Sequence, residues 1–289
     1  MAAVSAAASN DANPVAKMAA QKLGTAELLF RGAQRIGLQP TWVTPGGLFA
    51  VATSSGEKYV NAARSPLNSH ASISLVKDKY LTRLILERHA LPNIPFTSPK
   101  TLKQAAAFLS THHKIIVKPR CGLGAQDVHI IEGLSQLADM DIPNYIFEKY
   151  IAGREMRYLV LNEAVIAVHR SEYGTSVEAT RPLQRISYTP ADWDATLTAL
   201  SVRVAGILGM RFAAIDYMID TEGTAFILEV NSNPGLKWFH APTSGPVVDV
   251  AQLFLEAMVA DTERPAVVEK PVPIRNILPT GVYLKSKQG

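Results

Sequence analysis

An α+β fold with mixed, largely antiparallel sheets is what this sequence predicts, on three observations. Stretches with helical apolar spacing alternate with short apolar strand-like runs. Several of those runs come in pairs around turn-forming residues: SSGE after residue 53, Asn162-Glu163, and Asp220-Thr221-Glu222-Gly223. The composition is that of an ordinary globular enzyme, 47% hydrophobic and 19% charged, with enough length at 289 residues for one large domain or two modest ones.

Residues 17–37 (KMAAQKLGTAELLFRGAQRIG) read as an amphipathic helix that stops at Gly37. Strands follow at 48–53 (LFAVAT) and 58–62 (KYVNA). A second helix is expected over 75–89, with Leu81, Leu84, Ile85 and His89 sharing a face, ended by Pro92 and Pro95. A helix at 101–112 precedes strands at 114–118, near 127–131, and at 144–149. Strands 155–161 and 164–169 form a hairpin, residues 171–190 read as polar and irregular, and a helix at 191–208 leads to strands 212–219 and 224–231. The last helix spans roughly 246–259, before a proline-containing tail. The domain plan is a tail at 1–16, a small N-terminal subdomain at 17–76, a main domain at 77–262 with a lid at about 113–153, and a tail at 263–289.

Net charge is +4 with a pI of about 9.1, and part of the excess sits in the last twenty residues. No element interleaves Lys/Arg with aromatics, which argues against a nucleic-acid surface. No apolar run approaches membrane-spanning length, and the small-residue start lacks the basic and Leu-rich parts of a secretory signal. The single cysteine, Cys121, excludes a disulfide framework and fits a reducing compartment, so the cytoplasm is the expected location.

Three segments carry chemistry. In FAAIDYMID and TAFILEVN (212–231), alternation puts Glu229 and Asn231 on one face, and the turn brings Asp216 opposite or diagonal to residues 227–229. Three hard oxygen donors then converge, a set suited to Mg²⁺ shared with phosphates. In IIVKPR (115–120), Lys118 ends a buried strand, where a cation is costly without an anion, and Gly122 and Gly124 follow in a loop whose amides can approach phosphate. In IFEKYIAGREMRY (146–158), Glu148 and Lys149 close one strand while Glu155 and Arg157 open the next with equal parity. Taken singly, each also reads as ordinary: a polar hairpin face, a glycine turn, surface charges.

In this order the segments resemble the ATP-grasp superfamily, preceded by Asp78-Lys79 in VKDKYLTRLILERHALPNIPF. Flanking text, including KYVNAARSPLNSHASISLVKDK and EVNSNPGLKWFHAPTSGPVVDVA, is similar to the ligase domains of cyanophycin synthetase, RimK and bifunctional glutathione synthetase. The resemblance implies the ATP-grasp fold, two α+β subdomains clamping ATP, with a small N-terminal subdomain. It implies Lys79 and Lys118 on the phosphates with Gly122 and Gly124, and the segment Glu148, Lys149, Tyr150, Ile151 at adenine, with Glu155 on the ribose. It further implies Asp216, Glu229 and Asn231 on two Mg²⁺ ions (Mn²⁺ an acceptable substitute), with Arg170 steadying the transferred phosphoryl group and Arg157 a substrate carboxylate. One departure stands in the phosphate loop, where Ala125-Gln126-Asp127 replaces a further glycine.

The activity so implied is ATP-dependent carboxylate–amine ligation through an acylphosphate, on small-molecule or peptide carboxylates and amines. A kinase-type use of the fold and a nucleotide-binding regulatory role are the alternatives. The family resemblance also implies a homo-oligomer, dimer or tetramer. The stretch 171–190 is expected to line the acceptor site, with Arg181 and Arg185 as cations for an acidic group, although loop arginines usually have no such task. His112, His113 and His240 read as surface or loop residues.

Overall fold

The computed structural model describes residues 23–54, 56–64, 66–122, 127–138, 140–173 and 182–262. Both tails, Gly124, Arg181 and the Ala125-Gln126 part of the phosphate loop fall outside that range.

The N-terminal helix α1 (Thr25–Arg35) precedes a meander of β1 (Thr41–Thr44), β2 (Leu48–Thr53) and β3 (Gly56–Asn61). β1 was not anticipated. It earns its place by Trp42, which stacks on Phe30 with ring centroids 4.2 Å apart and edges onto Phe49. The predicted helix at 75–89 is two helices, α2 (His70–Lys77) and α3 (Lys79–Arg88), broken where Asp78 is extended at ψ 105°. Asp78 caps α3 by accepting from the amides of Tyr80 (2.9 Å) and Leu81 (3.3 Å). The predicted apolar face is also corrected. Leu81 and Leu84 are exposed, and α3 buries Thr82, Arg83 and Leu86 instead.

A four-stranded sheet follows in the order β4-β7-β5-β6, formed by β4 (Phe96–Thr97), β5 (Ile115–Pro119), β6 (His129–Ile131) and β7 (Tyr145–Lys149). Helix α4 (Leu102–His112) covers one face, meeting Ile115, Val117, Ile131 and Phe147 in a dry core. Alternation therefore aims Ile116, Lys118, Ile130 and Glu148 the other way, since Ile116 pairs with both Ile130 and Glu148.

The central sheet has five antiparallel strands in the order β10-β9-β8-β11-β12. They are β8 (Gly153–Leu161), β9 (Ala164–Glu172), β10 (Gln184–Tyr188), β11 (Phe212–Asp220) and β12 (Ala225–Asn231). Of the twelve described residues in the stretch read as irregular, seven are strand: β9 continues to Glu172, and β10 pairs along it from Gln184↔Glu172 to Tyr188↔Val168. Gly153 permits the sheet to start where it does, because a Cβ there would lie 2.1 Å from the Ile219 carbonyl oxygen.

Helix α5 (Ala195–Ile207) covers one face of this sheet, with Val204, Leu208, Ile215 and Tyr217 in a shared core. The opposite face is covered at one end by the N-terminal meander, α1, the short α6 (Lys237–His240) and α7 (Val250–Thr262). Burying a ring such as Phe212 or Phe254 there contributes about 2–3 kcal/mol each. That core joins the N-terminal strands to α7 across the expected boundary at residue 76. Asn68 fastens the junction: its Oδ1 accepts from the amides of Arg211 and Phe212, both at 2.9 Å, and its Nδ2 donates to the Phe212 carbonyl. His240, expected as a loop residue, is a cap, its Nε2 accepting from the Ala251 amide in the first turn of α7. Among the described residues no helix is long and apolar enough to cross a membrane.

Candidate active site

A cavity of about 550 Å³ lies between the two larger sheets. The four-stranded sheet lends it Ile116, Lys118, Ile130 and Glu148, and the five-stranded sheet lends it Glu155, Arg157, Arg185, Asp216 and Glu229. Lys79, Gly122, Lys149, Tyr150, Ile151 and Asn231 also line it.

Strand register explains which charges meet. Across the central sheet, Ser187 pairs with His169, His169 with Arg157, Arg157 with Asp216, and Asp216 with Glu229. One rung further, Arg185 pairs with Ser171, Ser171 with Glu155, and Glu155 with Met218. Paired residues share a face, so both rungs present their side chains to the same side. Two bulges set this arrangement. The β11–β12 register runs Tyr217↔Ile227 and then Asp216↔Glu229, so Leu228 is the extra residue that brings Glu229 opposite Asp216.

The second bulge, between Leu159 and Val160, has the reverse effect on Arg170. Counted straight back from the Asn162-Glu163 turn, Arg170 would stand opposite Glu155 on the cavity face. The bulge shifts the register by one, so Arg170 pairs with Met156 and Ile186 on the other face and bonds Glu172. Arg170 is therefore not brought to the cluster. Ser171 stands opposite Glu155 instead, and Arg185, its partner on β10, is the arginine brought to the cluster.

The partners of each charged group follow. Arg157 holds Asp216 through both oxygens, Nε–Oδ1 2.5 Å and Nη2–Oδ2 2.6 Å. Burial opposes its charge, yet Asp216 outweighs burial and raises the guanidinium above its usual value. Glu155 accepts from Ser171 at 2.8 Å and from the Tyr173 hydroxyl, with Arg185 at 3.5 Å. Burial, and then Glu155, push the Tyr173 hydroxyl up. Glu229 is 40% exposed at its side chain, with Lys79 3.9 Å away.

Lys118, predicted to need an anion, finds one in Glu148 at 2.8 Å. Arg83 donates to the other oxygen of Glu148 at 2.8 Å and to the carbonyls of Ile227 (2.5 Å) and Leu228 (2.8 Å), on the bulge itself. Burial alone would raise Glu148; Arg83 and Lys118 overcome it and hold the carboxyl at about 2. The sequence reading missed Arg83, although an arginine amid the apolar positions of a helix was a visible signal. At the start of α3, Lys79 donates from Nζ to the Gly122 carbonyl (3.1 Å), and Arg120 pairs with Asp78 at 2.5 Å. In the segment joining the sheets, the Lys149 and Tyr150 amides are engaged by the carbonyls of Pro95 and Lys114.

A model of the ATP-grasp domain matches residues 76–235, more than half of the chain. The chain belongs to the ATP-grasp family.

Among curated relatives of this ATP-grasp chain is a probable alpha-L-glutamate ligase of Rhodopirellula baltica, 26% identical, with 69% of this chain and 51% of that protein covered. Another is the tetrahydromethanopterin:alpha-L-glutamate ligase of Methanocaldococcus jannaschii, 23% identical over 61% of this chain and 65% of that one. The chain spans about half the length of the Rhodopirellula protein. Similar solved structures include a bifunctional glutathione synthetase from Pasteurella multocida, with TM-score 0.61, 13% identity, and coverage of 84% and 45%. The ATP-grasp ligase PsnB with a minimal precursor gives TM-score 0.57, 19% identity, and coverage of 68% and 63%. These structures share the fold.

The ATP-grasp fold implies ATP and Mg²⁺ as ligands. The donor set fits a hard cation: Glu229 and Asp216 are register partners, and Asn231 lines the same cavity. Among the described residues no three His, Cys, Asp or Glu cluster, so the set is two carboxylates and one amide.

Proposed function

We propose that the protein is an ATP-dependent ligase that activates a carboxylate as an acylphosphate and passes the acyl group to an amine, on amino-acid or short-peptide substrates. The observation that carries this reading is the convergence of Lys79, Lys118, Asp216, Glu229 and Asn231 on one cavity, against the segment that joins the two sheets. Relatives and fold neighbours named as ligases support ligation over phosphoryl transfer to a hydroxyl.

A carboxylate resists attack by an amine because its leaving group would be oxide. Phosphorylation replaces that with phosphate, and the protein's part is alignment and charge neutralisation. Mg²⁺ held by Asp216, Glu229 and Asn231 would supply Lewis-acid neutralisation of the phosphates. Lys118 and Lys79 would face the phosphates, and the Gly122 loop would close over them. Adenine would lie among Ile94, Ile116, Ile130, Met218 and Leu228. Because the Lys149 and Tyr150 amides already have partners, the Ile151 amide is the donor we assign to the purine edge. Glu155 would meet the ribose, and Arg157, held by Asp216 through both oxygens, would position that metal ligand rather than meet a substrate carboxylate. Arg170, on the other face of the sheet, is assigned no part at the phosphates. Residues 77–262 would form the catalytic unit, with its lid at about 113–153.

The test is phosphate release over pairs of amino acids and dipeptides, with mass spectrometry of the product. Release that requires both a carboxylate and an amine, with an amide product, is expected. Brisk ADP formation without the amine would contradict the reading.

A further inference from the structure

We infer that Arg185 is the anchor of an anion subsite that binds a non-reacting carboxylate of the substrate, at the end of the cavity away from the phosphates; this rests on the ligase reading above. Four observations converge. Arg185 lines the cavity while only 8% exposed, so it is not a solvated surface charge. Its nearest described carboxylate, Glu155, stands 3.5 Å off with its oxygens already accepting from Ser171 and Tyr173. Its Nε is buried and has no hydrogen-bond partner among the described residues, whereas Nη1 is fixed by Ser171. Its guanidinium lies 5.9 Å from the centre of the Trp238 ring, an aromatic wall beside the cation.

A buried arginine donor without an acceptor costs free energy that an incoming oxyanion returns. Arg157 cannot serve equally, since Asp216 occupies it through both oxygens. Burial and the charge of Arg157 both push the Arg185 guanidinium down, which is the signature of positive potential without a full counter-charge. The next rung adds polar atoms of the same kind: His169 is fully buried, and among the described residues neither its ring nitrogens nor the Ser187 hydroxyl finds a hydrogen-bond partner. Burial, then Arg157 and Arg185, keep that imidazole neutral, so it competes for no anion and can donate one N–H.

Position separates Arg185 from the transferred phosphoryl group at the metal ligands. Arg185 stands three strands from Asp216 in the sheet order, or about 14 Å at ~4.8 Å per strand. That spacing is the reach of an amino acid or dipeptide whose reacting group lies at the metal ligands. The strand is also held rigidly: Ser244 accepts from the Ser187 amide at 3.0 Å, and Gly245, at φ 86°, passes so close that a Cβ would meet the Ser187 carbonyl oxygen at 2.0 Å.

The experiment is calorimetry on the full chain with Mg²⁺ and a non-hydrolysable ATP analogue, titrating glutarate, L-glutamate, L-glutamine and L-alanine. L-Glutamate or glutarate is expected to bind the parent chain at least about tenfold more tightly than L-glutamine if the subsite takes the second carboxylate of the activated acid. L-Alanine binding that depends on Arg185 would instead place the carboxylate on the amine substrate. In either case Arg185→Gln should weaken that probe by about tenfold or more while leaving analogue affinity unchanged. Arg185→Lys, which keeps charge but loses the fork, should fall between. Equal probe affinity in parent, Gln and Lys variants, or no probe binding by a parent chain that binds the analogue, would overturn the subsite. Failure of the parent to bind the analogue would overturn the nucleotide reading beneath it.

Discussion

Arg157 and Asp216 are register partners on adjacent strands, and the guanidinium of one clasps both oxygens of the other at 2.5 and 2.6 Å. The neighbouring Glu229 is 40% exposed, with Lys79 at 3.9 Å. The two carboxylates assigned to the cation therefore differ in what they do for the fold. Asp216→Asn should destabilise the protein by about 3 kcal/mol or more, because a buried arginine is left without its anion. Glu229→Gln should change stability by less than about 1 kcal/mol. Both should reduce Mg²⁺-dependent turnover by about a hundredfold or more. Urea titrations set beside phosphate release separate the two effects, and equal destabilisation by both variants would refute the distinction.

Lys118→Ala is expected to weaken nucleotide binding by about tenfold or more, since it removes a cation from the proposed phosphate site. It also leaves Glu148 with Arg83 alone, so some loss of stability should accompany it. Calorimetry with an ATP analogue checks the first part; unaltered affinity would remove Lys118 from the site.

Acid should act through Glu148. Its folded value of about 2 lies below the ordinary 4.5, so its ionised form contributes stability that is complete above pH 4.5 and is lost as pH falls toward 2. The difference amounts to about 3 kcal/mol. Denaturant melts between pH 6 and 3 should show this slope, and Glu148→Gln, less stable at neutral pH, should flatten it. A slope unchanged in the variant would assign the acid loss elsewhere.

Arg83→Met should cost about 3–5 kcal/mol, since it strands a buried carboxylate and removes donors from the Ile227 and Leu228 carbonyls. Because those carbonyls flank Glu229, the surviving folded protein should also need more Mg²⁺ for half-maximal rate. A stability loss without any change in Mg²⁺ dependence would limit Arg83 to scaffolding.

Much of this site was legible in the sequence because strand parity is local. Glu229 and Asn231 on one face, the facing of Asp216, and the need of Lys118 for an anion all follow from a period of two and the cost of a buried charge. What parity cannot give is register between strands. Arg170 was assigned to the site by family resemblance, and one extra residue in β9 turns it to the other face. β10 was hidden for a different reason: Gln184, Arg185 and Ser187 suppress the apolar signal of a strand whose polar side faces a cavity rather than water. Arg83 was obscured likewise, because a helix that buries an arginine in a four-partner network breaks the apolar stripe used to orient it.

The two bulges decide which side chains share a rung. In a regular ladder counted from each turn, Leu228 would stand across from Asp216 and Val168 across from Arg157, with Glu229 and His169 turned to the other face. No charged group would be gained or lost, yet the set that sees the cavity would change. The β12 bulge has a second consequence, because Arg83 takes hold of the Ile227 and Leu228 carbonyls there, so one local irregularity both aligns Glu229 with Asp216 and fastens the strand to α3.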